Sequence, residues 1–142
     1  MPRVYNSIIV DAPLDMVWSR IRDFYDFSWA PSLVESCEAV GEEQPTAVGA
    51  RRLINGAFLD TLITHSDHDH RIQYSIDDAP SPMSPKEISN YVGDLHLLAV
   101  TNEGKTFAEW TGTWDSESSE GVDFMNQIYV SLLGDLKKEF EA

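Results

Sequence analysis

The chain has 142 residues, enough for a single domain over 1–142 that packs a core without disulfide or metal staples. Ten basic against 24 acidic residues leave a formal charge of -14, which repels phosphate backbones and anionic headgroups and argues against nucleic acid and membrane surfaces as partners. An apolar fraction of 42% argues against disorder, and the one cysteine, Cys37, excludes an internal disulfide and favours a reducing cytoplasm.

The opening "MPRVYNSIIV" is too short and too polar for a signal-peptide core, and no apolar run approaches the roughly 18 residues of a membrane span. Its β-branched and aromatic stretch, Val4 to Val10, predicts a first strand that stops at Asp11-Ala12-Pro13. Leu14, Val17, Trp18, Ile21 and Phe24 then recur at spacings of three and four, the signature of a helix starting near Pro13. "YDFSWAPSL" gathers three aromatics around Pro31 and suggests a second short helix or an aromatic loop closing one end of the core. A strand through about Glu35 to Val40 follows.

From Ala50 the punctuation is that of an antiparallel meander. Asn55-Gly56 separates two strand-like runs, and both residues tolerate the positive φ of a tight hairpin. "RIQYSI", "NYVGDLHLLAV" and "TFAEWTGTW" continue it, the last two joined by "TNEGK". Val122, Met125, Ile128, Tyr129, Leu132, Leu133, Leu136 and Phe140 then mark a long amphipathic helix, with Ser118 or Ser119 to cap it and Lys137 and Lys138 near its negative end. Its apolar stripe needs a partner, and the sheet is the only large one. The fold class is α+β: a seven-stranded curved antiparallel sheet wrapped around a long C-terminal helix, with two short helices after the first strand.

Three groups of residues bear on function. "HSDHDH", His65 to His70, has ligand types that suit zinc, yet it lies where one strand must turn into the next, its turn imidazoles face water, and no cysteine lies nearby. We read it as a hairpin and expect no metal. In "GARRLINGAFLDTL", alternation groups Arg51 with Leu53 and groups Phe58, Asp60 and Leu62. If Leu53, Phe58 and Leu62 mark the core side, Arg51 and Asp60 point inward and must pair, because neither charge is tolerated alone in an apolar interior. The bland alternative is an edge salt bridge. Third, Tyr91, Gly93, Leu95, Leu97 and Ala99 share one face, as do Ala108, Trp110, Gly112 and Trp114, and the two glycines either leave space for a ligand or bend the sheet.

The element order, together with "IIVDAPLDMVWSRIRDF", "WAPSL", "VGARRL", "LDTLITHSD", "ISNYVGDLHLLAV", "TFAEWTGTW" and "IYVSLLGDLKKEF", resembles the helix-grip fold of the SRPBCC superfamily, which includes START domains and birch-pollen allergens. Within it the segments resemble the polyketide cyclase/dehydrase branch and its lachrymatory-factor-synthase-like group. That resemblance implies a catalytic pair and a nearby tyrosine at Arg51, Asp60 and Tyr91, with Asp60 standing where relatives carry Glu and Ala30 where they often carry His. We further expect a chamber lined by Phe58, Leu62, Tyr74, Trp110, Trp114, Ile128 and Leu132, with the Pro-rich "DDAPSPMSPKEIS" either over one mouth or an ordinary long connection. The expected partner is a small, largely apolar molecule, with room left for a homodimer, and no cofactor. Cyclisation, dehydration or isomerisation of a carbonyl compound is the enzymatic expectation, and a non-catalytic carrier or sensor the alternative.

Overall fold

The computed structural model describes residues 1–141. Its elements are β1 (Arg3–Val10), α1 (Leu14–Ile21), β2 (Cys37–Val40), β3 (Arg51–Ile54), β4 (Phe58–Ser66), β5 (Arg71–Asp78), β6 (Ser89–Val100), β7 (Lys105–Asp115) and α2 (Glu120–Glu139). The seven strands form one antiparallel sheet in the order β1-β7-β6-β5-β4-β3-β2, so every neighbour from β2 to β7 is a hairpin partner and only β1 joins by a long return. Irregularities between Leu59 and Asp60, Leu62 and Thr64, and Ser89 and Val92 break the ladder and bend the strands, which curls the sheet toward the helix.

Alternation decides which side chains line the concave face. On β7, Thr106, Ala108, Trp110, Gly112 and Trp114 are the buried positions, each separated by a partly exposed one. Helix α2 lays Met125, Tyr129, Leu132, Leu133 and Leu136 against that face, and Tyr129 stacks on Trp110 with ring centroids 4.9 Å apart. Ser118 Oγ accepts the Glu120 amide at 3.1 Å and so serves one free donor of the first turn. No helix among the described residues is long and apolar enough to cross a membrane.

The expected second short helix is instead a run of turns. Asp23 Oδ1 accepts the Tyr25 amide at 2.9 Å and Asp26 Oδ1 the Ser28 amide at 3.0 Å, local bonds that offer the backbone an alternative to a helical ladder. Phe24, Phe27, Trp29 and Ala30 are nonetheless buried, so the segment closes one end of the core. It is anchored to α2 by the buried Asp135, whose carboxylate accepts Ser32 N at 2.9 Å and Ser32 Oγ at 2.6 Å.

"HSDHDH" is the β4–β5 hairpin, ending one strand and turning into the next. Ser66 Oγ shapes the turn by accepting the Asp69 amide at 2.9 Å. Asp67 acts outward: one oxygen accepts Trp18 Nε1 at 2.8 Å and Arg22 Nε at 2.9 Å, the other accepts Arg22 Nη2 at 3.0 Å. His65 donates to the Arg22 carbonyl at 2.8 Å, and both His65 and His70 pack on Trp18, each with its centroid 5.4 Å away. Asp67 and His65 therefore tie the hairpin to α1.

Candidate functional site

The site begins at the β3–β4 hairpin. Asn55 and Gly56 take positive φ, 55° and 64°, as a tight turn requires, but Ala57 also belongs to the loop and donates to the Ile54 carbonyl at 2.9 Å. Three loop residues place Ile54 opposite Phe58 and Arg52 opposite Asp60. A two-residue turn would have put Arg51 there. Because the side-chain period is two, that one extra residue exchanges the two arginines between faces.

Arg51 accordingly lies on the outer face, its side chain 41% exposed and 3.8 Å from Asp77. This corrects the inward placement expected for it: the inward arginine is Arg52. Arg52 Nε donates to Asp60 Oδ2 at 3.0 Å and Nη1 to the Phe24 carbonyl at 3.2 Å. Its guanidinium also sits over the rings of Phe24 at 3.9 Å, Phe27 at 4.6 Å and Tyr74 at 5.2 Å. Cation–π attraction and one charged partner keep a buried arginine tolerable.

Asp60 is only 2% exposed, and its Oδ1 has no hydrogen-bond partner. Desolvation pushes its carboxyl up to about 6, although Arg52 pulls the other way. Asn55, at the hairpin tip, accepts the amides of Glu35 and Ser36 and donates to the Leu33 carbonyl at 2.7 Å, which pins the tip to the segment before β2.

Between this hairpin and α2 lies a cavity of about 150 Å³. Phe27, Arg52, Asp60, Tyr74, Trp110, Met125, Tyr129 and Leu132 form its buried floor and walls, and Leu33, Val34, Ile54, Asn55, Phe58, Ile76 and Ile128 form a partly exposed rim. Of the expected lining, Phe58, Asp60, Tyr74, Trp110, Ile128 and Leu132 meet here. Leu62, Tyr91 and Trp114 do not: they are core residues, Trp114 stacked behind Tyr91 with centroids 5.6 Å apart.

Tyr91 still touches the site indirectly. Its hydroxyl bonds that of Tyr129, Tyr129 bonds Tyr74 at 2.8 Å, and Trp110 Nε1 donates to Tyr74 at 3.0 Å. Burial holds all three phenols well above their ordinary range, so they stay neutral hydroxyls. The glycines expected either to open a ligand space or to bend the sheet make room for these rings. Gly93 and Gly112 face each other across β6 and β7; a Cβ at Gly93 would strike the Tyr74 ring, and one at Gly112 would lie 2.5 Å from the Tyr91 hydroxyl. The Pro-rich segment follows Ile76 but contributes no lining residue: its Ala79 and Met83 are buried, Met83 against Gly121.

A family model described as polyketide cyclase / dehydrase and lipid transport matches residues 1–141. The chain belongs to that family. A protein of Nitrosospira multiformis, solved by a structural genomics consortium, is 60% identical, with a TM-score of 0.98 over 99% of this chain and 97% of its own. XoxI from Bacillus cereus is 23% identical, TM-score 0.80, over 99% and 96% of the two chains. A Bacillus thuringiensis protein is 22% identical, TM-score 0.80, over 97% and 98%. At those identities the two Bacillus structures speak for the fold alone. No curated protein matches. The comparisons reach this polyketide cyclase/dehydrase family and do not carry the finer resemblance to its lachrymatory-factor-synthase-like group.

Sequence reasoning missed Arg52 and the helix residue Tyr129 among this family member's cavity polar groups. A cue for Arg52 was present, since Ala57 following Asn-Gly allows a three-residue loop. Tyr129 was visible only as one more residue of the α2 stripe.

Proposed function

We propose that this chain holds a small, largely apolar, carbonyl-bearing molecule between the sheet and α2 and exchanges a proton with it through Asp60. The observation that carries this reading is Asp60: it lines a cavity whose other walls are mostly apolar, and its Oδ1 is a buried acceptor without a partner. Buried polar atoms are nearly always satisfied, so an orphan on a cavity wall points to something that completes it. A chamber of this size suits a single ring, and its partly exposed rim allows a longer tail to emerge.

A carboxyl raised to about 6 is a stronger base than an ordinary aspartate and is largely ionised at neutral pH. Such a base can take a proton from the carbon beside a carbonyl and return it elsewhere on the same molecule, the currency shared by isomerisation, dehydration and cyclisation. Arg52 is already engaged by Asp60, a backbone carbonyl and three rings, so it works as the part that orients Asp60. The family description also covers lipid transport, and a carrier would use the same cavity with Asp60 only as an anchor.

Cyclohexanone in D₂O separates the two. Its α-hydrogen exchange, followed by NMR, is faster with the wild type than with Asp60→Asn if the proton-transfer reading holds. Binding that shifts the Trp110 indole resonance equally in both proteins, with no exchange above buffer, supports the carrier. No binding by either protein removes the cavity reading.

A further inference from the structure

Tyr74, Tyr91, Tyr129 and Trp110 form one connected hydrogen-bonded cluster. Tyr74, Tyr91 and Tyr129 bring three O–H protons and Trp110 one N–H proton. These four protons supply three hydrogen bonds: Trp110 to Tyr74, Tyr74 with Tyr129, and Tyr129 with Tyr91. One proton is therefore left over, wherever the individual bonds point.

It has three places to reside. On Tyr91 it would be stranded in dry core, because that hydroxyl has Tyr129 as its one partner and faces Gly112 in a region stacked on Trp114. An unpaired buried donor loses its hydration with no return. On Tyr74 or Tyr129 it falls on a side chain that lines the cavity. There a ligand can accept it. Trp110 reinforces this direction, because an indole N–H only donates: it takes an acceptor site on Tyr74 and leaves the Tyr74 proton free to point away.

Asp60, whose Oδ1 is an unpartnered acceptor, lines the same cavity. Its polar complement is thus one spare donor and one spare acceptor in an otherwise mostly apolar chamber. We infer that the site selects a neutral ring-sized molecule carrying both an acceptor and a donor, its carbonyl oxygen taken by the spare proton of the Tyr74–Tyr129 pair and its O–H or N–H taken by the Asp60 carboxylate. This rests on the cavity being a ligand site, and it adds the tyrosine pair as a specificity determinant. The donor is redundant: with Tyr129 removed, Tyr74 still carries a free proton into the cavity, and with Tyr74 removed, Tyr129 remains and the Trp110 N–H, on the same cavity, is freed as well, so only loss of all three abolishes the donor.

Three probes of similar shape test it by NMR titration: 2-piperidone, with adjacent C=O and N–H; cyclohexanone, with the acceptor alone; and methylcyclohexane, with neither. The wild type is expected to bind 2-piperidone at least about tenfold more tightly than cyclohexanone, since a site built around hydrogen bonds rejects analogues that lack them. Asp60→Leu is expected to erase that preference. Tyr74→Phe and Tyr129→Phe singly retain most of the affinity for the two carbonyl probes, and Tyr74→Phe/Tyr129→Phe/Trp110→Phe loses it while keeping methylcyclohexane binding, which also certifies that the triple variant is folded. Equal binding of all three probes by the wild type would leave the cavity reading standing and overturn the donor–acceptor assignment, as would a triple variant that still prefers cyclohexanone to methylcyclohexane. Failure of every probe to bind would instead remove the ligand-site reading beneath it.

Discussion

Arg52 and Asp60 face each other across the β3–β4 hairpin at 3.0 Å, and only one of the two carboxylate oxygens is used. Desolvation outweighs the ion pair, because the carboxyl ends above its ordinary value and not below it. Asp60 therefore costs the fold stability when ionised.

That cost has a definite pH course. The unfolded chain gives up the Asp60 proton near 3.8, while the folded one keeps it to about 6. Between those values the folded state binds more protons, so this residue's contribution to stability falls as pH rises through the window and stays low above it. Urea unfolding of wild type and Asp60→Asn at about pH 4 and about pH 7 is expected to shift in favour of Asn by roughly 3 kcal/mol, from two pH units at 1.36 kcal/mol each. A difference independent of pH would show that the carboxyl is not raised.

The pair can also be removed in two ways. Arg52→Met strands a buried carboxylate and is expected to cost about 3–5 kcal/mol at neutral pH, whereas Arg52→Met/Asp60→Leu should return to near wild-type stability. Chemical denaturation of the three proteins checks this. A double variant as unstable as the single one would mean that the pair holds the hairpin together.

Asp67 makes a different kind of link. Its carboxyl is held down to about 2, chiefly by the hydrogen bond from Arg22 and also by that from Trp18, so its contribution is present above the ordinary aspartate value and is lost as pH falls through about 2. Asp67→Ala leaves the Trp18 indole N–H without its acceptor and is expected to cost about 1–2 kcal/mol, with faster amide exchange in the β4–β5 turn. Unchanged exchange there would show that the hairpin needs no tie to α1.

At Gly112 a methyl group would meet the Tyr91 hydroxyl at 2.5 Å, with the next atoms at 3.2 Å. Gly112→Ala is expected to cost roughly 1–3 kcal/mol as an overpacked site. Adding Tyr91→Phe removes the nearest atom and should recover part of that loss, a non-additivity that thermal unfolding of the double-mutant cycle measures. Strict additivity would mean that the strain lies in the backbone.

Much of this architecture is legible in the pattern of apolar residues. Alternation located the strands, and the three-and-four spacing of Met125, Tyr129, Leu132 and Leu136 located α2, because each period maps to one backbone geometry. The site was less legible for a reason of scale. Asp60 was placed inward correctly from the company of Phe58, but its partner depended on whether the loop held two residues or three, and Leu53 misled as a marker of the core side. The segment after α1 failed differently: its aromatics suit a helix, and the Asp23 and Asp26 side chains redirect the backbone into turns. Tyr91 and Trp114 share a buried face with the cavity residues yet lie behind them, a distinction of depth that a one-dimensional period cannot express.

The bare peptide at Gly93 and Gly112 sets how deep the chamber is. Tyr74 settles on one glycine and Tyr91 on the other, and the Tyr91 hydroxyl props Tyr129 from behind, so the height of the floor is fixed on the side no ligand touches. The depth of such a chamber can be retuned from β6 and β7 by single methyl groups that push on the tyrosines, while every residue that lines it keeps its identity.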